Sequence, residues 1–237
     1  MVRIVISGIC GKMGKIIGTL AAKDKDIEIA GALEARGNAA IGKDAGVTDS
    51  LEDIKGAYDV LIEFTSPGAT LEHLRAVVAD KRAVVIGTTG FSEKEQEEIK
   101  SASQKIPVVF SPNMSIGANL LFRLAEDAAR ALGNDYKAEI VEAHHDQKKD
   151  APSGTAKMLG EVVKKVKGEM PLIHSIRLGD IVGDHTVIFA GKSERVELTH
   201  RAHSRDCLAR GALAAAKFLA GKKAGLYTMA DVIGGRR

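Results

Sequence analysis

The run Val2-Arg3-Ile4-Val5-Ile6-Ser7-Gly8-Ile9-Cys10-Gly11-Lys12-Met13-Gly14 reads as a buried strand, a glycine loop and the start of a helix, in that order. A loop of this kind suits a pyrophosphate. Glycines let the backbone approach the ligand, and the free amides of a helix start face its charge. The spacing Gly8-x-x-Gly11-x-x-Gly14 departs from the strict G-x-G-x-x-G pattern, so a tight turn with close helix–sheet packing fits the loop equally well. Glu34 changes the balance. It closes the next apolar run, where an acid accepts hydrogen bonds from the adenosine ribose hydroxyls. Strand, glycine loop, helix and acid in this order point to a dinucleotide site.

Outward from this unit the same alternation repeats. Short Val/Ile-rich runs at residues 2–7, 27–33, 59–64, 83–87 and 107–110 predict strands, and residues 12–22, 69–79 and 92–103 predict helices. Pro67 suits a first helical position, and Ser92 with Glu95 forms a capping-box pattern. Residues 34–49 read as a loop or irregular helix. Strands apolar on both faces, alternating with helices, give a parallel sheet covered on both sides, a doubly wound α/β fold of Rossmann type. Beyond Asn113 the pattern changes. A long helix over residues 117–132 is followed by strand-like runs near 138–143, 173–178, 186–190 and 195–199. Helices are expected at 155–167 and 205–219, with a short tail at 227–233. This second region reads as an α+β domain with a mixed or mostly antiparallel sheet.

Composition sets the outer limits. The chain has 237 residues, 45% hydrophobic and 27% charged, an ordinary globular balance. Lys plus Arg number 34 against 31 Asp plus Glu, a net +3 that is far too even for a nucleic-acid binder. The two cysteines, Cys10 and Cys207, build no disulfide framework, and no apolar run is long enough to span a membrane. A cytoplasmic location without membrane attachment is therefore expected.

Chemistry is expected at the carboxyl ends of the parallel strands, where Gly87-Thr88-Thr89-Gly90 and Ser111-Pro112-Asn113-Met114 form turns, and either is equally readable as an ordinary loop. Gly191-Lys192-Ser193 resembles the end of a P-loop, but Thr186 occupies the place of its first glycine. The most unusual segment is Glu142-Ala143-His144-His145-Asp146-Gln147-Lys148-Lys149-Asp150-Ala151-Pro152-Ser153-Gly154-Thr155-Ala156. Two histidines and two lysines lead into a helix start whose amides and Thr155 hydroxyl suit a carboxylate. A histidine or lysine there could donate a proton to a small dianionic substrate. The alternative is a charged surface loop. No metal is expected, because adjacent residues on a strand point to opposite faces and no metal-ligand spacing accompanies them. Six of the seven histidines lie beyond residue 143, which places proton chemistry in the second region.

These residues resemble the dihydrodipicolinate reductase family, the 4-hydroxy-tetrahydrodipicolinate reductases. The resemblance rests on the glycine loop, Phe64-Thr65, Val85-Ile86-Gly87-Thr88-Thr89-Gly90-Phe91 and Asn113-Met114-Ser115-Ile116-Gly117. Glu142-Ala143-His144-His145, Lys148, the segment from Asp150 to Ala156, and Gly183-Asp184-His185-Thr186 complete it. It implies an oxidoreductase that uses NADH or NADPH to reduce 4-hydroxy-tetrahydrodipicolinate in the diaminopimelate route to lysine, assembled as a homotetramer through its second domain. It also implies a discontinuous dinucleotide-binding domain, residues 1–114 and 207–237, and a substrate and oligomerisation domain, residues 115–206. Carried over residue by residue, Gly8, Ile9, Cys10, Gly11, Lys12 and Met13 hold the pyrophosphate and Glu34 the ribose. Gly87, Thr88, Thr89, Ser111, Pro112, Asn113 and Met114 line the nicotinamide side. His144 and Lys148 are the acid/base residues, and His145, Gly154 and Thr155 hold the substrate carboxylates. Many members carry a basic residue after the ribose acid; this chain has Ala35, with Arg36 one place later. Glu34 repels a 2′-phosphate that only Arg36 or Lys12 could offset, so NADH is expected to serve at least as well as NADPH. The rivals are another two-domain dehydrogenase acting on an amino or keto acid, and a nucleotide sensor. A sensor should lack the His-His-x-x-Lys and Ser-Gly-Thr cluster, which is intact here.

Overall fold

The computed structural model describes residues 1–44 and 46–234. In chain order the elements are β1 (Val2–Ser7), α1 (Lys12–Ala21), β2 (Ile27–Leu33), β3 (Val47–Thr48), β4 (Val60–Glu63), α2 (Pro67–Ala79), β5 (Ala83–Ile86), α3 (Glu93–Ser103) and β6 (Pro107–Phe110). Then come α4 (Ile116–Leu132), β7 (Lys137–His144), α5 (Gly154–Lys167), β8 (Leu172–Arg177), β9 (Gly183–Ala190), β10 (Arg195–Ala202), α6 (Asp206–Leu219), β11 (Gly225–Tyr227) and α7 (Met229–Val232). They form two compact units, one from residues 1–114 and 208 onward, the other Ser115–Cys207.

The first unit is a seven-stranded sheet in the order β11-β6-β5-β4-β1-β2-β3. All its pairings are parallel. Alternation along each strand divides the core in two. Ile4, Ile6, Ile62, Val85 and Val109 face one side and pack against Ile17 of α1 and Ala209, Ala212, Leu213 and Ala216 of α6. Val5, Leu61, Val84, Ile86 and Val108 face the other and meet Leu71, Leu74 and Val77 of α2 and Ile99 of α3. Strands buried on both faces explain why the runs are continuously apolar. The capping box opens α3, with the Glu95 amide donating to Ser92 Oγ at 3.4 Å and the Ser92 amide to Glu95 Oε2 at 2.7 Å.

The second unit has a four-stranded sheet in the order β10-β9-β7-β8. Only β7 and β8 run parallel, so the sheet is mixed. One face is covered by α4 and α5 through Leu121, Phe122, Ala125, Leu159 and Val163, packed on Ile140, Val187 and Phe189. Register puts Val141, Ala143, Thr186, Ile188, Leu172 and Ile176 together on the opposite face, where Leu172 is 66% exposed.

Four elements, β3, β9, β10 and β11, differ from the sequence expectation. Within the predicted loop 34–49, Val47–Thr48 forms β3 beside β2; Ala45 lies outside the described residues. The strands expected at 186–190 and 195–199 extend to 183 and 202, because polar Asp184, His185 and His200 still pair across the sheet. The tail expected at 227–233 begins earlier, and β11 adds an edge strand to β6. Residues 235–237 of the expected 207–237 segment also lie outside the described residues.

Helix α1 sits close on β1 because Gly14 has no side chain. A Cβ there would stand 2.1 Å from the Gly8 carbonyl oxygen and 2.6 Å from Ile9 Cα. Gly14→Ala should therefore destabilise the protein by about 1–3 kcal/mol. Gly68→Ala, in α2 with nothing within 4 Å of its Cβ, should be neutral or stabilise by up to about 1 kcal/mol. Thermal unfolding of the two variants checks the contrast, and equal melting temperatures would contradict it.

Candidate active site

In the first unit β1 lies between β2 and β4, so the chain leaves β1 in one direction and later returns across it. The carboxyl ends at this switch are where ligands bind open α/β sheets. The glycine loop is pinned there: the amides of Gly8 and Ile9 donate to the Leu33 carbonyl at 3.0 and 3.3 Å. Gly8 takes φ +77°, a backbone state that a side chain would strain. Gly11 caps α1 without a side-chain bond, which leaves the first helical amides to a ligand. Glu34 stands over the loop, its carboxylate accepting from the Cys10 amide at 2.8 Å and the Ala35 amide at 2.9 Å. Partial burial opposes the charge, but these amides outweigh it and hold the carboxyl below its ordinary range.

The two turns expected from sequence follow β5 and β6. Thr88 accepts the Thr65 amide at 3.0 Å and the Thr70 hydroxyl at 2.9 Å. Ser111 Oγ donates to the Asn113 carbonyl at 2.8 Å. The Met114 side chain is packed in the apolar core with Ala212 and Met229. Arg36, 92% exposed, reaches Asp49 at 3.4 Å. Sequence reading passed over a neighbouring cluster: fully buried Glu63 bonds His73 Nδ1 at 2.9 Å and Thr65 Oγ1 at 2.5 Å.

The second unit gathers the histidines. Register sets Ser175, Glu142, His185 and His200 in one row across β8, β7, β9 and β10, on the face that α4 and α5 cover. Glu142 is fully buried. Arg177 grips both of its oxygens at 2.8 and 2.9 Å, the Ser153 amide donates to Oε1 at 3.1 Å, and His144 Nδ1 lies 2.5 Å from Oε2. Burial opposes the charge; the Arg177 guanidinium, the Ser175 hydroxyl, the His144 ring and the Ser153 amide outweigh it and hold the carboxyl down to about 2.

The His144 ring is 5.1 Å from His185, edge to face. Burial pushes His144 below its ordinary value although Glu142 opposes this, and the Lys148 and Arg177 cations push the same way. His185 falls to about 4, chiefly through burial and then through the rings of His144 and His200. The loop after β7 turns back where the Lys148 amide donates to the His145 carbonyl at 3.1 Å. Lys148 Nζ rests on Asp150 at 2.7 Å, and the Asp150 carbonyl accepts from Arg177 at 2.6 Å. Ser153 caps α5 by accepting the Ala156 amide at 3.2 Å, so Gly154 and Thr155 form its first turn.

The structure thus brings Lys148 within electrostatic reach of His144 and joins His144 to the start of α5. Arg177 was not among the sequence candidates, and Ser153 and His185 stood there only within motifs, without a role of their own. The available signal was an acid interrupting an apolar strand, Ile140-Val141-Glu142-Ala143, as in Leu61-Ile62-Glu63-Phe64. A buried carboxylate needs a cationic or amide partner.

Comparison with known proteins matches residues 2–114 to the family model "Dihydrodipicolinate reductase, N-terminus" and residues 117–233 to its C-terminal counterpart. The chain is 44% identical to the 4-hydroxy-tetrahydrodipicolinate reductase of Anaeromyxobacter dehalogenans over 99% of its length and 98% of the relative's. With that of Aquifex aeolicus it shares 46% over 98% of its length and 99% of the relative's. A solved dihydrodipicolinate reductase with bound dipicolinate, from Paenisporosarcina, superposes with a TM-score of 0.83 at 25% identity, covering 96% of this chain and 97% of that one. A meso-diaminopimelate dehydrogenase variant from Clostridium tetani, with a TM-score of 0.62 and 13% identity, covers 100% of this chain and 97% of its own; it shares the fold alone. With both halves of the family model matched in order and two near-full-length relatives above 40% identity, the chain belongs to the dihydrodipicolinate reductase family.

Proposed function

We propose that the protein reduces 4-hydroxy-tetrahydrodipicolinate to tetrahydrodipicolinate, with loss of water, using NADH or NADPH, in the diaminopimelate route to lysine. The observation that carries this reading is the intact His144–Lys148 and Ser153–Thr155 cluster in a chain whose relatives bear that activity's name. The first unit would hold the nucleotide, with the backbone of Gly8 to Met13 at the pyrophosphate, Glu34 at the ribose, and the 87–89 and 111–114 turns at the nicotinamide. When bound, the reduced nicotinamide supplies a hydride to a substrate carbon.

The atom beside that carbon must then gain a proton, and Lys148 and His144 handle it. Lys148 Nζ donates to Asp150 at 2.7 Å and is the proposed proton donor. The depressed His144 is neutral near pH 7 and offers a ring nitrogen as acceptor. His145 and the first turn of α5, with the Thr155 hydroxyl, would hold the substrate carboxylates, where amides and the helix dipole favour negative charge. The uncovered sheet face bearing Val141, Ile188, Leu172 and Ile176 supports assembly through the second unit, and the homotetramer that the resemblance implies is the form expected. Two unpaired cysteines suit a reducing cytoplasm. Among the described residues no helix is long and apolar enough to cross a membrane.

The direct test follows NADH or NADPH consumption when enzymatically generated substrate is added. Lys148→Ala should lower turnover by about 10²- to 10⁴-fold, the usual contribution of a general acid, with nucleotide affinity unchanged by fluorescence titration. Turnover within a few-fold of the parent would remove Lys148 from the chemistry.

Thr155→Val keeps the side-chain shape and deletes a donor. A hydrogen bond to a charged group is worth about 1.5–3 kcal/mol. The substrate KM and the inhibition constant of pyridine-2,6-dicarboxylate should therefore both rise roughly ten- to hundredfold. Equal inhibition of parent and variant would place the pocket elsewhere.

Both nucleotides should work, with NADH at least as good at moderate salt. Lowering the salt should help NADPH if Arg36 or Lys12 reaches the 2′-phosphate. Glu34→Ala should move the ratio of kcat/KM values toward NADPH. A hundredfold parent preference for NADPH, unaltered in that variant, would take Glu34 out of the ribose site.

A further inference from the structure

We propose that Glu142 is the positioning residue of this site: its buried carboxylate fixes which nitrogen of His144 carries the proton and ties the ring to the first turn of α5, while Arg177 holds the carboxylate in place. The inference rests on the function proposed above only where it speaks of turnover.

A carboxylate offers about four lone-pair directions. Here Oε1 accepts from the Arg177 Nη2 at 2.8 Å and the Ser153 amide at 3.1 Å, and Oε2 receives Arg177 Nη1 at 2.9 Å. The Ser175 hydroxyl adds a further donor, and His144 Nδ1 lies 2.5 Å from Oε2. An ionised carboxylate only accepts, so Nδ1 carries the hydrogen and the lone pair falls to Nε2. Opposite Nε2 lies Gly183, where a Cβ would stand 3.0 Å from that nitrogen. The glycine leaves Nε2 uncrowded on that side. Through the Ser153 amide, the same carboxylate sets the residue that caps α5. One side chain thus registers the proton-handling ring against the turn assigned to the substrate carboxylates.

Four groups act on the His144 ring: Glu142 on its own strand, Lys148 on the following loop, Arg177 on β8 and His185 on β9. Glu142 favours the charged ring, whereas Lys148 and Arg177 oppose it. Removing Glu142's charge and removing Arg177's charge should therefore shift the titration of His144 in opposite directions. Mere loosening of the fold would not produce opposite signs.

The experiment is ¹⁵N–¹H imidazole NMR on the free full-length protein, with the His144 signals assigned by His144→Asn. The parent should show the Nδ1–H form. Glu142→Gln should lower the His144 midpoint by about one unit, and Arg177→Met should raise it. In Glu142→Gln, kcat should fall about 10²-fold, as for a small misplacement of a reacting group, with the KM for nucleotide unchanged. If Glu142→Gln does not fold, the parent tautomer and the Arg177→Met shift still decide the matter. An Nε2–H parent, or midpoints that stay put or move together, would overturn the proposal. A parent that fails to reduce the substrate would overturn the proposed function instead, and the NMR results would stand.

Discussion

A carboxylate with no exposure to water governs the second unit. Leaving Glu142 charged and unpaired inside the protein would cost several kcal/mol, and the structure answers with a guanidinium, a hydroxyl, an amide and an imidazole. The four partners come from three places: Arg177 and Ser175 from β8, Ser153 from the start of α5, His144 from the end of β7. Satisfying one charge therefore fixes the relation of two strands and a helix. Truncating Arg177 would leave the buried Glu142 carboxylate without its guanidinium, which ties this site closely to the unit's stability.

The first unit meets the opposite requirement. Its loop amides are arranged for a charge the chain does not itself supply. Glu34 takes the Cys10 amide, and the Leu33 carbonyl holds Gly8 and Ile9, but the capping position of α1 is a glycine without a side-chain acceptor. Buried Glu63 repeats the logic of Glu142 at the end of β4, with His73 and Thr65 as partners. In both units an acid stands at or near the end of a strand where the packed core gives way to polar groups.

The sheet of the first unit was legible because strands buried on both faces leave continuous apolar runs, and Ile4-Val5-Ile6 serves both cores at once. The capping box of Ser92 and Glu95 was legible because it is local. β3 and β11 were not: each is two or three residues long and exists only because a neighbouring strand edge accepts it. The longer β9 and β10 escaped for a related reason, since Asp184, His185 and His200 are polar and read as loop until their cross-strand partners are known. The segment from His144 to Thr155 was legible as chemistry through its residue types. Arg177 lies 35 residues from Glu142 in the chain and meets it only through the parallel β7–β8 pairing. The conflict between charge and burial at Glu142 was in the sequence; the resolution was not.

The return of the chain to the first unit has a consequence for biosynthesis. Helix α6 and Met229 line the core that Ile4, Ile6, Ile62, Val85 and Val109 present on one side of the sheet. A nascent chain that has just completed Cys207 holds the whole second unit but lacks most of this cover. A ribosome stalled there would display an apolar sheet face still lacking α6 beside an unfinished edge at β6, the kind of surface that chaperones recognise and that aggregates when left waiting. The second unit, whose described residues run without interruption, has all its strands on the nascent chain before that moment. Vectorial synthesis thus makes the first unit close after the second, although β1 emerges before any strand of the second unit.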